Sequence, residues 1–322
     1  METPHRYPLI FNPKARSQKG GKVLRFLMDH ANHFAVYATN HAGEARELAA
    51  RFAAAGEPVV IAAGGDGTLN EVVSGLAGFS TVLGVLPAGT MNVFARELGI
   101  PCDSLERAFA VIQRGMVREV DLFAANGTPF LQMAGVGFDA AVIEETSWQS
   151  KKRLGPLAYL VAAVRVLGQH PPTLEVICAD GRREQGVAVI AGNGSLYAGP
   201  FNFFRNADNR DSKLDMLVYK ESGYRLILDS LRGLATGGID LMASTRYLQS
   251  EAFTVRADRE LPVEVDGEWI GRFSEVHFRE TEHCLRVMAP DGGLAIQGAG
   301  STWKSLVRWP LGQPQLQTTR TP

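Results

Sequence analysis

Pro58-Val59-Val60-Ile61-Ala62-Ala63-Gly64-Gly65-Asp66-Gly67-Thr68-Leu69-Asn70-Glu71-Val72-Val73 begins as an apolar run and ends as a helix signal. The first half is unbroken and carries β-branched residues, the pattern of a strand covered on both faces in a parallel sheet. Leu69, Val72, Val73 and Leu76 then recur at i, i+3, i+4 and i+7, one face of a helix. Thr68 and Glu71 have the spacing of a capping box at its entrance. Between strand and helix lies Gly64-Gly65-Asp66-Gly67. Three glycines in four positions remove the Cβ atoms that would hold a ligand away from the main chain. The freed N–H groups and the positive end of the helix behind them suit an anion, phosphate first. Asp66 would repel phosphate unless its carboxylate faced Mg²⁺, metal-bound water or a ribose hydroxyl. The same four residues also serve as a plain strand-to-helix reversal, and that reading stays open on this stretch alone.

A second junction of the same kind follows. Val82-Leu83-Gly84-Val85-Leu86 reads as another buried strand, Pro87-Ala88-Gly89-Thr90 as its turn, and Asn92 to Leu98 as the next helix. Two glycine turns at the carboxyl ends of strands in one parallel sheet define a crevice, where open α/β sheets bind ligands.

Gly64-Gly65-Asp66-Gly67-Thr68, followed by Leu86-Pro87-Ala88-Gly89-Thr90-Met91-Asn92 and Phe94-Ala95-Arg96, resembles the diacylglycerol kinase catalytic domain family. That family holds bacterial lipid kinases and the eukaryotic diacylglycerol, sphingosine and ceramide kinases. The first motif is shared with NAD kinases and 6-phosphofructokinases; the second separates them. The resemblance runs from Leu9 to about Met288 and includes Ala191-Gly192-Asn193-Gly194.

The chain has 322 residues, enough for two domains. Its 33 basic and 34 acidic residues nearly cancel, which argues against a nucleic-acid partner held by bulk positive charge. Cys102, Cys178 and Cys284 form no CxxC pair, so reduced thiols in a cytoplasmic protein are expected. The histidines show no zinc-ligand spacing. Met1 to Arg16 lacks the apolar core of a signal peptide. The best apolar run, Leu157 to Leu167, is interrupted by Arg165 and too short to span a bilayer. A lipid substrate would therefore be met at the membrane surface, by a protein peripheral to it. A homodimer is left open.

In chain order, Tyr7 to Phe11 reads as a strand ending in Asn12-Pro13-Lys14-Ala15; Arg16 and Ser17 stand where the family's turn carries glycine. The resemblance places Asn12 beside the nucleotide, although an ordinary turn has the same composition. Gly21 to His30 and Gly43 to Ala54 read as helices around a strand at Phe34 to Thr39, and Leu105 to Gln113 as one more helix. Thr39, Gly43 and Ala45 fit a family pattern whose Thr binds ATP. The alternation predicts an N-terminal Rossmann-like or phosphofructokinase-like α/β domain with a parallel sheet. Beyond Val120 to Phe123 the chain becomes a series of strands: Phe130 to Met133, Leu174 to Ile177, Val187 to Ile190, Leu214 to Val218, Phe253 to Val255, Leu261 to Val265 and Leu285 to Met288. They predict a C-terminal, mainly antiparallel β-sandwich domain. The expected division is residues 1–124, 125–300 and a polar tail at 301–322. Helical patterns are also expected from Ala140 to Leu167 and from Tyr224 to Thr236. The first sets Lys151, Lys152 and Arg153 beside an apolar face that suits an anionic membrane or a sheet.

The resemblance supplies a chemistry. Val265-Asp266-Gly267-Glu268 matches the family's Asp-Gly-Glu, whose glutamate is the general base; Asp-Gly is equally a hairpin turn. Phosphoryl transfer from ATP needs the acceptor hydroxyl aligned and deprotonated while metal neutralises phosphate charge. The resemblance assigns catalysis to Glu268, Asp66 and Asp121, the last in a Mg²⁺ network. It assigns ATP to Asn12, Thr39, Gly64, Gly65, Asp66, Gly67, Thr68, Asn70, Gly89 and Thr90. Val93 stands where a second acid is usual. A structural Mg²⁺ of bacterial members would fall at Asp208, Asp211 and Lys213, with Ser212 in place of glycine. The implied function is transfer of the γ-phosphoryl group of Mg·ATP to diacylglycerol or a similar lipid in an interdomain cleft. An NAD kinase-like phosphotransferase and a non-catalytic nucleotide or lipid sensor are the alternatives.

Overall fold

The computed structural model describes residues 6–13, 20–145, 171–197, 199, 201–221 and 244–291. The first domain runs β1 (Tyr7–Phe11), α1 (Gly20–Asp29), β2 (Phe34–Ala38), α2 (Glu44–Ala54), β3 (Val59–Gly64), α3 (Asp66–Leu76), β4 (Val82–Pro87), α4 (Val93–Glu97), α5 (Leu105–Arg114) and β5 (Val117–Val120). The second contains β6 (Phe123–Ala125), β7 (Thr128–Phe130), β8 (Met133–Val136), α6 (Phe138–Glu145), β9 (Leu174–Cys178), β10 (Arg183–Gly186), β11 (Ala188–Gly192), β12 (Leu196–Tyr197) and β13 (Phe201–Asn202). It continues through β14 (Leu214–Tyr219), β15 (Thr245–Ser250), β16 (Ala252–Val265) and β17 (Glu268–Glu280); β18 (Leu285–Met288) ends the described chain. Residues 146–167 of the first expected helical pattern, the whole of the second at 224–236, the stretch from Lys14 to Ser17 and the tail at 301–322 lie outside the described residues.

The first sheet has the order β2-β1-β3-β4-β18-β5. Its first four strands are parallel, and their register places the carboxyl ends together: Phe11 pairs Ala38 and Ala63, and Gly64 pairs Pro87. Val60, Ile61, Ala63 and Leu83 are fully buried, as their apolar runs require when helices cover both faces. β18 belongs here and not with the second domain, because it lies parallel to β4 and antiparallel to β5. Alternation in Leu285-Arg286-Val287-Met288 marks a strand but carries no information about its partners.

Among the described residues the remaining strands pair antiparallel, ten of them in one sheet and β12 with β13 in another. β16 holds it together: Phe253 to Ala257 pair β9, Val263 to Val265 pair β8, and β17 runs along its other edge. The strands expected at 253–255 and 261–265 are thus one, interrupted in sequence only by the polar Arg256 to Glu260, where the register with β17 shifts. A bulge bends a strand at such a point. Inward residues of β6, β8, β9, β11, β14, β16 and β17 share one core, as the expected antiparallel β domain requires. The run expected as one strand at Phe130 to Met133 is broken at Leu131-Gln132, where β7 gives way to β8.

Candidate active site

The two glycine turns touch. The Gly64 carbonyl accepts from the Ala88 and Gly89 amides at 2.8 and 3.2 Å. A Cβ on Gly89 would sit 2.4 Å from Gly65 Cα and 2.7 Å from Asn92 Oδ1, an approach open only to glycine. Asn92, buried and left-handed at φ 48°, closes the second turn by accepting from the Gly89 amide and donating to its carbonyl. Asp66 Oδ1 accepts from the Val93 amide at 2.7 Å. Burial raises the Asp66 pKa, and the amides of Val93 and Asn92 oppose that. The position where the family usually carries an acid therefore contributes its backbone instead.

The capping box does not form. The helix starts earlier, at Asp66, with Gly65 as its N-cap and no side-chain cap. Glu71 instead accepts from the Ala45 amide of α2, and Thr68 Oγ1 accepts from Asn12 Nδ2 at 3.4 Å. Moving the start to Asp66 makes Thr68 the third helical residue, so its hydroxyl cannot cap. Among the described residues no side chain caps α3, whose N-terminus follows the carboxyl end of β3.

Opposite this turn stands the β16–β17 hairpin. Val265 pairs Glu268, and the two residues between, Asp266 and Gly267, have φ of 48° and 84°, the geometry of a type I′ turn. Asp266 accepts from three successive amides of the β7–β8 corner, those of Leu131, Gln132 and Met133, at 2.7, 2.9 and 3.0 Å. Burial still pushes its pKa up to about 6 against those amides, and the negative Asp66 adds to the rise. So clamped, the hairpin carries Glu268 to the glycine turn: Glu268 Oε1 lies 3.4 Å from the place a Cβ on Gly67 would occupy. Two residues 201 positions apart in sequence meet where the cleft is expected.

Other expected residues are distributed unevenly. Asn12 and Thr39 follow β1 and β2 at the same edge of the sheet, with Thr39 buried and its amide donating to Phe11. Gly67 and Thr90 are exposed, while Thr68 and Asn70 are buried. Asn70 Oδ1 has no hydrogen-bond partner among the described residues. Asp121 lies at the 208–213 turn. Its carboxylate accepts from the Ser212 amide at 2.7 Å, and burial, Glu280, Asp211 and Asp208 all raise its pKa. It joins the 208–213 turn, because β5 leaves the first sheet there and passes Asn209.

In that turn Asp211 accepts from the Lys213 amide and from Gln249, and the Asp208 carbonyl accepts from the Asp211 amide. Ser212 adopts φ 55° where the resemblance expects glycine. Among the described residues no group of three or more Asp, Glu, His or Cys is arranged around a metal position. A separate concavity of about 700 Å³ opens beside Ile177, Phe253 and His277 on the second domain, with no cluster of carboxylates in it.

Comparison with known proteins identifies the kinship. A diacylglycerol kinase from Staphylococcus aureus is 31% identical over 294 residues, covering 89% of this chain and 93% of the relative. The chain belongs to the diacylglycerol kinase family. The model of the diacylglycerol kinase catalytic domain matches residues 6–125, and that of the YegS C-terminal NAD kinase beta sandwich-like domain matches 132–289. A Bacillus subtilis diacylglycerol kinase is 29% identical across 83% of this chain and 90% of its own length. A solved diacylglycerol kinase structure from Bacillus anthracis shares the fold at a TM-score of 0.69 and 22% identity, over 90% of this chain and 98% of that one. Among the described residues no helix is long and apolar enough to cross a membrane.

Within this family member, three residues behind the cleft carry no separate signal in the sequence. Asp266 was read only as part of a motif. Glu97 and Gln132 gave no signal beyond a charge ending a short helix and a polar residue inside an apolar run. The arrangement sets the N-terminus of α3 against the Glu268 carboxylate.

Proposed function

We propose that this protein transfers the γ-phosphoryl group of Mg·ATP to the primary hydroxyl of diacylglycerol or a closely similar lipid. One observation carries the reading: Glu268 Oε1 stands 3.4 Å from the Cβ position of Gly67, beside the first-turn amides of α3. In this reading those amides hold the phosphates, and Gly67, lacking a side chain, lets them approach. Glu268 accepts the proton of the acceptor hydroxyl as it attacks. Asn12, Thr39 and Thr90, at the same edge, are the residues we assign to the rest of the nucleotide. When bound with ATP, Mg²⁺ would neutralise phosphate charge, and Asp66 is the carboxylate we assign to it. The second cation of the resemblance would fall at the 208–213 turn, where Glu280, Asp211 and Asp208 each raise the pKa of Asp121, although among the described residues they form no metal-ligand cluster. The family kinship supports a kinase, and the acceptor follows the names of its relatives.

The test is a mixed-micelle assay with labelled ATP and a panel of diacylglycerol, ceramide and sphingosine. Label in the diacylglycerol product is expected. No label in any lipid would reject the reading; formation of NADP from NAD would replace it with an NAD kinase-like one.

A further inference from the structure

Both carboxylates that border the cleft are held from behind, and the holds meet. α4 begins with the Val93 amide bonded to Asp66 and ends with Glu97. The Glu97 carboxylate crosses to the second domain, where Oε1 accepts from Ser195 Oγ at 2.9 Å and Oε2 from the Leu196 amide at 2.8 Å. Oε2 also accepts from Gln132 Nε2 at 2.9 Å. Gln132 then donates its own amide to Asp266 Oδ1 at 2.9 Å, in the turn that presents Glu268. An unbroken line of bonds therefore runs from Asp66 through α4, Glu97 and Gln132 to Asp266, two residues before Glu268.

The Gln132 side chain is oriented unambiguously. Its two partners, the Glu97 carboxylate and the Leu196 carbonyl, only accept, so they must face its NH₂ group. Its Oε1 is buried with no partner among the described residues, which is unfavourable for folding. An apolar residue there would avoid that cost but could not reach Glu97. The space is also reserved: a Cβ on Gly194 would lie 2.5 Å from Gln132 Nε2 and 2.8 Å from Glu97 Cδ. Asn193 pins the same corner by donating to the Leu131 carbonyl at 2.9 Å.

We propose that Glu97 and Gln132 form a strut between the domains that sets the distance from the glycine turn to Glu268. They are positioning residues; neither borders the cleft. The proposal rests on the kinase reading for its catalytic consequence and on the bond line alone for its structural one.

Gln132→Leu keeps the bulk and removes the donor. If the strut acts as stated, kcat for lipid phosphorylation falls roughly 10- to 100-fold, the scale of a misplaced catalytic group. The KM for ATP should stay within about twofold, because the glycine turns are untouched. Glu97→Gln should give a similar split, and the double variant should lose no more than the worse single variant, since both break one line. Wild-type kcat in Gln132→Leu, a loss carried by KM, or losses that multiply would overturn the strut. Hydrogen exchange on the full chain gives a readout without substrate. In Gln132→Leu the amides of Leu131 to Met133 should exchange at least about tenfold faster, while those of the glycine turns keep their protection. If the wild-type protein phosphorylates no lipid, the kinase reading fails and exchange alone judges the strut: unchanged protection at 131–133 overturns it.

Discussion

Asp266 and Glu268 share one hairpin, but the structure commits Asp266 to three backbone amides and leaves Glu268 at the cleft rim. Glu268→Gln keeps size and removes the proton acceptor we propose, so kcat should drop by roughly 10²–10⁴ with ATP affinity near wild type. Unimpaired turnover would put the base elsewhere. Asp266 has a different signature, in stability. Its pKa of about 6 in the folded protein exceeds the ordinary carboxylate value, so the folded state binds this proton more tightly than the unfolded one. The stability it contributes is complete below about pH 4 and is lost as pH rises through about 6. Asp266→Asn should therefore flatten the fall in urea-unfolding stability between those limits. A slope identical to wild type would show that the group does not titrate there.

At the scale of the element, the glycine turns divide into positions closed by protein and positions open to a ligand. Gly89→Ala brings a Cβ to 2.4 Å from Gly65 backbone, which only a shift of the turn relieves. A cost of about 1–3 kcal/mol is expected, visible as a lower melting temperature together with lost ATP binding. Gly67→Ala meets nothing closer than Glu268 Oε1 at 3.4 Å and lies inside a helix. Alanine there should leave the melting temperature unchanged or slightly raised, since glycine is the poorer helix residue by about 1 kcal/mol. The KM for ATP should nonetheless rise, because a methyl group fills the approach to the amides. A Gly67→Ala protein with wild-type ATP kinetics would mean that phosphate does not lie on this turn. The alternation from β1 to β4 was readable because each element is long, apolar and locally periodic. β17 was not, since Arg272, Glu275, His277 and Arg279 dilute Phe273, Val276 and Phe278.

Across the whole molecule, the first domain is discontinuous in sequence. β18 inserts between β4 and β5 and buries Leu285, Val287 and Met288 in the same core as Leu83 and Val120. A chain ending at residue 283 would leave that slot empty and lose burial on the order of 5 kcal/mol. A fragment of residues 1–125 has the same gap, so neither should show a cooperative urea transition by circular dichroism. A sharp transition in the shorter fragment would mean that β18 is dispensable. The same threading brings the second domain over the crevice, since β17 ends just before β18 and begins at the cleft.

The amino-acid sequence by itself determined the local chemistry: where glycine removes Cβ atoms, where an apolar run must be covered on both faces, and which Asp-Gly pair reverses a hairpin. These follow from the conformational limits of a few adjacent residues. Only the tertiary structure decided that residue 268 meets residue 67, that Asp121 turns to the 208–213 loop, and that Gln132 spans to Glu97. Such meetings depend on how long strands register and where one bends, and a stretch of chain holds no record of its distant partner.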